Sequence, residues 1–269
     1  LRGMESVVVA YSGGVDSSVL LAVAREQLGS AAVAFTASSA SLPANEAASA
    51  ARVAAGIGAE QVVAASGELA IPAYTANRGD RCFHCKSELY QLAEAERARR
   101  DLRWVADGTI VDDLAEHRPG LAAARAAGVR HPLVEAGFTK AMVRLAAEAL
   151  GLPNHDKPAA PCLASRFAVG TPVSVGRLGR VERAEGALRA MGLRVVRVRV
   201  ADVDGAETAR VELGPDDLAM VASSQKMEAV LAACSAEGFR WTTIDPRGYR
   251  RGSVALPSNS SALVTGPSR

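Results

Sequence analysis

Between an apolar run, Val7–Ala10, and a helix-forming stretch, Ser17–Leu28, the chain carries Ser12-Gly13-Gly14-Val15-Asp16-Ser17-Ser18. This strand-to-helix junction constrains the fold more than any other feature. Its two glycines let the backbone bend sharply and approach a ligand closely. The helix that follows presents unpaired N–H groups and a partial positive charge. Ser12, Ser17 and Ser18 add hydroxyl donors, so the segment reads as a nest for phosphate or pyrophosphate. It has no Lys where a GxxxxGK[ST] loop needs one, and it lacks GxGxxG spacing. Asp16 is acidic beside the expected anion. A Mg²⁺ ion bridging to the phosphates removes that repulsion; a structural Asp16 merely caps the helix.

The alternation of strand and helix continues beyond the junction. Gly29 stops the first helix. Ala31–Ala37 is a second strand, Ser41 caps a helix running to about Ile57, and Gln61–Ala65 is a third strand. Lys86–Arg100 is helical and Arg103–Ala106 is extended. Thr139 caps a helix reaching Leu150, where Gly151 and Pro153 end it. This order predicts an α/β fold, a parallel sheet with helices on both faces. Ligands sit at the carboxyl ends of such strands, where Tyr11–Ser17, Ala37–Ser41 and Asp107–Asp113 fall.

After Pro158 the pattern changes. Val196, Val198 and Val200 alternate with Arg197 and Arg199; Ala209, Val211 and Leu213 alternate with Arg210 and Glu212. A helix from Asp216 to about Ala233 and a strand at Arg240–Ile244 complete a smaller α+β domain with a one-sided sheet. The expected division is 1–160, 161–255 and a Ser/Pro/Gly-rich tail, 256–269, expected to be disordered.

The formal net charge of +2 gives no global drive toward nucleic acid or a membrane surface. No signal segment precedes the first strand. No apolar stretch spans a bilayer without a charge or a Gly/Pro break. The expected location is therefore cytoplasmic, where the four cysteines read as metal ligands or nucleophiles before disulfides. Cys82 and Cys85 form a CxxC just before a helix, able to share a metal or close a redox disulfide. Cys162 sits in Lys157-Pro158-Ala159-Ala160-Pro161-Cys162-Leu163-Ala164-Ser165-Arg166. Arg166 is placed to lower its pKa, and a thiolate there attacks or carries sulfur. Cys234 falls on one helical face with Met227, Val230 and Leu231 and reads as core. Three thiols suit a 4Fe–4S cluster with one open iron; zinc needs a fourth ligand, for which His84, His131 or His155 serve.

The Ser12–Ser17 segment resembles the PP-loop of ATP pyrophosphatases, which cleave ATP between the α- and β-phosphates. SGGVDSS, RCFHCK, DGTIVDD, HRPG, KPAAPCLASR, RVRV and RVEL follow in this order across about residues 5–255. Together they resemble the LarE family, ATP-dependent sulfur transferases of nickel-pincer nucleotide cofactor synthesis. The resemblance implies ATP and Mg²⁺ as cofactors and adenylation of a pyridinium dicarboxylate mononucleotide. Conversion of the carboxylate to a thiocarboxylate then follows, in a homo-oligomer. It implies two sulfur routes. In one, the cysteine matching Cys162 gives up its own sulfur and becomes dehydroalanine. In the other, Cys82, Cys85 and Cys162 hold a 4Fe–4S cluster whose open iron carries sulfide. Sequences of the first type lack the CxxC pair, so this chain resembles the second. Arg197 and Arg199 are implied to bind substrate phosphate, and Glu185 matches a nearby acidic functional position. Arg81 and Lys86 balance nucleotide phosphates in this reading. Three alternatives are a tRNA thiolase, which needs a broad basic surface or an RNA-binding module, an amide-forming ligase, and a zinc-stabilised nucleotide-binding module. The ligase leaves the three thiols idle.

Overall fold

The computed structural model describes residues 1–115, 119–203, 206–222 and 226–250. They fall into two compact units, one of residues 1–164 with 172–179, the other of 165–171 with the described residues from 180 on. The expected tail lies outside the described residues, as do His117 and Arg118 of the HRPG motif.

In the first unit the elements run β1 (Val7–Ala10), α1 (Val15–Leu28), β2 (Ala32–Ser38), α2 (Ala44–Ile57), β3 (Gln61–Ala65), α3 (Pro72–Ala76), α4 (Arg81–Arg99) and β4 (Trp104–Asp107). Four helices follow: α5 (Val111–Leu114), α6 (Pro119–Ala126), α7 (Pro132–Glu135) and α8 (Lys140–Ala149). The strands form a parallel sheet of order β3-β2-β1-β4. Because successive side chains on a strand face opposite ways, β1 feeds two cores. Val7 and Val9 pack with Leu20 and Leu21 of α1, Ala50 and Ala54 of α2 and Val143 and Ala147 of α8. Val8 and Ala10 pack with Phe35, with Tyr90 and Ala93 of α4 and with Ala123 and Ala124 of α6. A sheet buried on both faces explains the continuous Val-Val-Val-Ala run. The chain leaves β1 and β2 on one face and reaches β4 through α4 on the other. The connection therefore reverses between β1 and β4, where doubly wound sheets open a crevice at their carboxyl ends.

The predicted strands and helices recur with small shifts, and two local readings change. Ser41 does not cap α2. That helix begins at Ala44 behind Pro43, while the Ser41 hydroxyl donates to Glu68 at 2.7 Å. Helix α4 begins at Arg81, so the CxxC lies within the helix, at its N-terminal end, rather than before it.

Helix α9 (Val175–Ala190) runs from the first unit into the second, which contains β5 (Val196–Val203), β6 (Ala206–Leu213), α10 (Pro215–Ala222), α11 (Lys226–Ala236) and β7 (Trp241–Ile244). β5 pairs antiparallel with β6, and β6 parallel with β7. The helix read from Asp216 to about Ala233 falls on α10 and α11, and residues 223–225 between them lie outside the described residues. Val196, Val198, Val200, Val211 and Leu213 are buried, as their alternation predicts. The expectation of a one-sided sheet is corrected, because Arg197 and Arg199 are buried too, at 7% and 6% exposure. The ring of Tyr249 covers both guanidinium groups, and Glu212 neutralises Arg199. Cys234 is core, its thiol pushed up to about 11 by burial and by Glu237.

Candidate functional site

The loop after β1 is held from several sides. Gly13 has φ +71°, and a Cβ there would stand 2.5 Å from the Ala50 side chain and 2.7 Å from its Cα. Only glycine fits that approach. The Tyr11 hydroxyl donates to the Ala50 carbonyl at 3.0 Å, and Asn154 donates to the Gly13 carbonyl at 3.1 Å and to the Ser18 hydroxyl at 2.9 Å. Ser12 and Ser17 lie 3.3 Å apart through their hydroxyls, and the Ser17 hydroxyl donates to the Gly14 carbonyl at 3.1 Å. The loop is thus shaped in advance, with the N-terminus of α1 behind it. Asp16 is not the cap of α1, whose N-cap is Gly14 without a side-chain capping bond. Lys140 donates to both of its oxygens, at 2.7 and 2.8 Å. Lys140 and Asn154 were not legible as site residues, because they reach the loop from over a hundred positions away.

The carboxyl end of β4 lies beside this loop, since Ala10 pairs with Asp107. Gly108 packs against the start of α1 so closely that a Cβ would stand 2.7 Å from Ser17 N and 2.9 Å from its Cα. Asp107 is buried. It accepts from Tyr90 at 2.6 Å, from the Thr109 N–H at 3.0 Å and from His131 Nδ1 at 2.7 Å. Burial opposes its charge, but His131, the nearby Lys86 ammonium and Tyr90 together hold its carboxyl well below the usual range. The same hydrogen bond raises His131 above its ordinary value, against the opposing effect of burial. Of the acidic residues predicted in 107–113, Asp112 accepts the Lys140 N–H and Asp113 the Ile110 N–H, so both shape the turn.

Cysteine chemistry gathers in the same unit. Cys82 is exposed, while Cys85 and Cys162 are partly buried. Leu163, next to Cys162, donates its N–H to the Ser41 carbonyl at 2.8 Å, which ties the KPAAPCLASR segment to the chain just beyond β2. Burial, the Glu68 charge and the neighbouring Cys162 push the Cys85 thiol up to about 12, with Cys82 adding to the effect and Lys86 opposing it. Cys85 thus feels both other thiols. Glu68 is itself buried and accepts hydroxyl hydrogens from Ser39 at 2.5 Å, Ser41 at 2.7 Å and Ser66. Arg81 reaches Asn77, and Lys86 lies over the Tyr90 ring at 5.5 Å. Among the described residues, no three His, Cys, Asp or Glu side chains converge on one metal ion.

In the second unit Glu185 is fully buried. It accepts Arg166 at 2.8 and 3.0 Å, Arg189 at 2.6 Å and the Val198 N–H at 3.1 Å. Burial opposes its charge, yet Arg166 lowers its pKa. Arg166 is thus paired with a buried carboxylate. Burial, then Arg166, presses the pKa of Arg197 down.

Comparison with known proteins agrees with this geometry. Residues 1–77 match the family model described as asparagine synthase. The chain is 39% identical over 251 residues (93% of it and 92% of the relative) to "Uncharacterized protein slr1717" of Synechocystis sp.. It is 33% identical over 267 residues, 98% of it and 94% of the relative, to pyridinium-3,5-bisthiocarboxylic acid mononucleotide synthase of Lactiplantibacillus plantarum. A relative in Methanocaldococcus jannaschii, "Uncharacterized protein MJ0830", is 28% identical over 174 residues, 65% of this chain and 66% of that one. Among the described residues, no helix is long and apolar enough to cross a membrane.

Proposed function

We propose, because this chain belongs to the LarE family of ATP-dependent sulfur transferases in the PP-loop superfamily, that it converts a carboxylate of pyridinium biscarboxylic acid mononucleotide to a thiocarboxylate. The observation that carries this reading is that Cys82, Cys85 and Cys162 belong to the same compact unit as the Ser12–Ser18 loop. A substrate carboxylate oxygen attacks the α-phosphorus of ATP, and the bond to the β-phosphate oxygen breaks. Pyrophosphate leaves with that electron pair, its charge met by the N-terminus of α1 and by Ser12, Ser17 and Ser18. A sulfur nucleophile then forms the C–S bond, and AMP leaves with the electrons of the acyl C–O bond.

The residues fit the two inorganic groups this chemistry calls for. Asp16 is the acidic ligand available to a phosphate-bound Mg²⁺. Its half-exposed pair with Lys140 is weak enough to open, which frees an ammonium for phosphate. A 4Fe–4S cluster on Cys82, Cys85 and Cys162 supplies, when bound, an open iron that carries sulfide. Each thiolate of such a cluster would take its own iron, so the three sulfurs need not converge on one ion. Arg197 and Arg199 are assigned to the substrate phosphate. Burial, and then the neighbouring Arg166, lowers Arg197's pKa, and a bound anion opposes that. Glu185, held by Arg166, positions β5 through the Val198 N–H. Arg81 and Lys86 balance phosphate charge.

Anaerobic protein reconstituted with iron and sulfide tests the reading. ATP, Mg²⁺ and the carboxylated nucleotide should yield AMP, pyrophosphate and thiocarboxylate. Cys82→Ala and Cys85→Ala should abolish thiolate-to-iron absorption and thiocarboxylate while AMP still forms. Iron-free protein making thiocarboxylate over many turnovers, with the mass of Cys162 unchanged, defeats the cluster assignment.

A further inference from the structure

The Asp107–His131 pair has no part in the chemistry above, yet it stands at the same edge of the sheet. Arg130 makes a one-residue parallel bridge with Ala106, and the Asp107 N–H donates to the Arg130 carbonyl at 3.1 Å. His131 is therefore carried to the carboxyl edge, one strand spacing beyond β4 and two beyond β1, roughly 9–10 Å from the strand that leads into the phosphate loop. Its Nδ1 is engaged by Asp107 at 2.7 Å, and its side chain is 23% exposed. Nε2 makes no hydrogen bond to a described residue, so it is the nitrogen left for a ligand.

The surrounding charges favour an anion. Asp107 faces the ring from β4, Lys86 from α4 and Glu135 from α7. Tyr90 shares Asp107, and Arg130 is occupied by Glu135 at 2.8 and 2.7 Å. With His131 protonated, two cations share one buried carboxylate, and the excess positive charge has no anionic partner in that trio. The Asp107 carboxylate also accepts from Thr109, which fixes the turn at Gly108 against Ser17. The imidazole and the phosphate loop are thus parts of one rigid arrangement.

We infer that His131, held by Asp107, is a second anion-binding group of the nucleotide site. It takes the outer end of a polyphosphate whose inner end lies on the Ser12–Ser18 loop. A separation of that order suits a polyphosphate, the triphosphate of ATP or its released pyrophosphate, better than a single phosphate. The inference rests on the proposal that the loop binds nucleotide. His131 keeps its proton above its ordinary value, so the grip is complete below about pH 6.5 and is lost as pH climbs through the raised pKa.

The test measures binding of inorganic pyrophosphate to the full chain from about pH 6 to about pH 9, with His131→Gln and Ser17→Ala for comparison. Wild-type affinity should fall with pH beyond whatever fall His131→Gln shows. At the acid end the variant should bind roughly tenfold or more weakly, the effect of one charge-assisted hydrogen bond. By nuclear magnetic resonance, pyrophosphate should shift the His131 titration in the wild type to higher pH, a readout that needs no variant to fold. A His131 titration indifferent to pyrophosphate overturns the inference. So does His131→Gln binding like wild type at every pH. If Ser17→Ala is then weak, the nucleotide site stands without His131; if Ser17→Ala also binds normally, the phosphate-loop reading falls with it.

Discussion

Gly108 offers a direct measure of how tightly the two halves of the crevice are pressed together. Its backbone is not left-handed, so replacing it by alanine adds steric cost alone. The new Cβ would lie 2.7 Å from Ser17 N, 2.9 Å from Ser17 Cα and 3.0 Å from Asp16 C, all backbone atoms that no rotamer can move. Ordinary contact lies near 3.5–4.0 Å, so the loop and α1 must part by about 1 Å. If the structure resists, overpacking costs about 1–3 kcal/mol. That is roughly 2–4 °C in melting temperature per kcal/mol for a chain of this size. If it yields, the N-terminus of α1 is displaced by the same 1 Å, and misplacement on that scale costs on the order of 100-fold in rate. Gly108→Ala should therefore lose stability, AMP-forming kcat/KM, or part of each. Gly186→Ala is the control: Gly186 lies within α9 with open space where its Cβ would stand, and alanine there should stabilise by about 0.5–1 kcal/mol. Thermal melts and steady-state AMP release report both. Gly108→Ala with wild-type melting and wild-type kcat/KM would refute the close approach.

Gly13→Ala combines a left-handed backbone, about 1–2 kcal/mol, with overpacking against Ala50, about 1–3 kcal/mol. Adding Ala50→Gly should recover only part in denaturant unfolding, because the 2.7 Å contact is with the Ala50 Cα. Arg166→Met, which leaves the buried Glu185 with Arg189 and the Val198 N–H alone, should cost up to about 3–5 kcal/mol; Arg166→Met with Glu185→Leu should cost less than the two changes summed, and strict additivity in unfolding would refute the pair. Asp107's lowered pKa gives stability that is complete above about pH 4 and drains as pH falls below it. His131's raised pKa gives the opposite sign, complete below about pH 6.5 and lost above. The stability gap between wild type and Asp107→Asn, measured in urea across pH, should therefore peak between those limits; a flat gap would refute the coupling.

Much of the first unit was legible because its signals are local. Val7–Ala10 had to be a strand buried on both faces, and Gly13-Gly14 ahead of a helix had to be a sharp bend. The β-branched alternation at 196–200 likewise announced β5. Reading Arg197 and Arg199 as one polar face went wrong on exposure alone. Alternation separates two faces of a strand, but it does not tell whether the polar face meets water or is closed by Tyr249 and Glu212.

Residue identity and order alone determined the parallel sheet, the Ser12–Ser18 loop at its carboxyl edge, the core role of Cys234 and the set of three remaining thiols. Those follow from backbone conformational preference and side-chain period, which act within a few residues. The tertiary structure decided which charges meet: Lys140 on Asp16, His131 and Tyr90 on Asp107, three serines on Glu68, Arg166 on Glu185. The partners in most of these contacts lie tens of positions apart, and an ion pair or a buried hydrogen bond depends on distance in space, which only packing fixes.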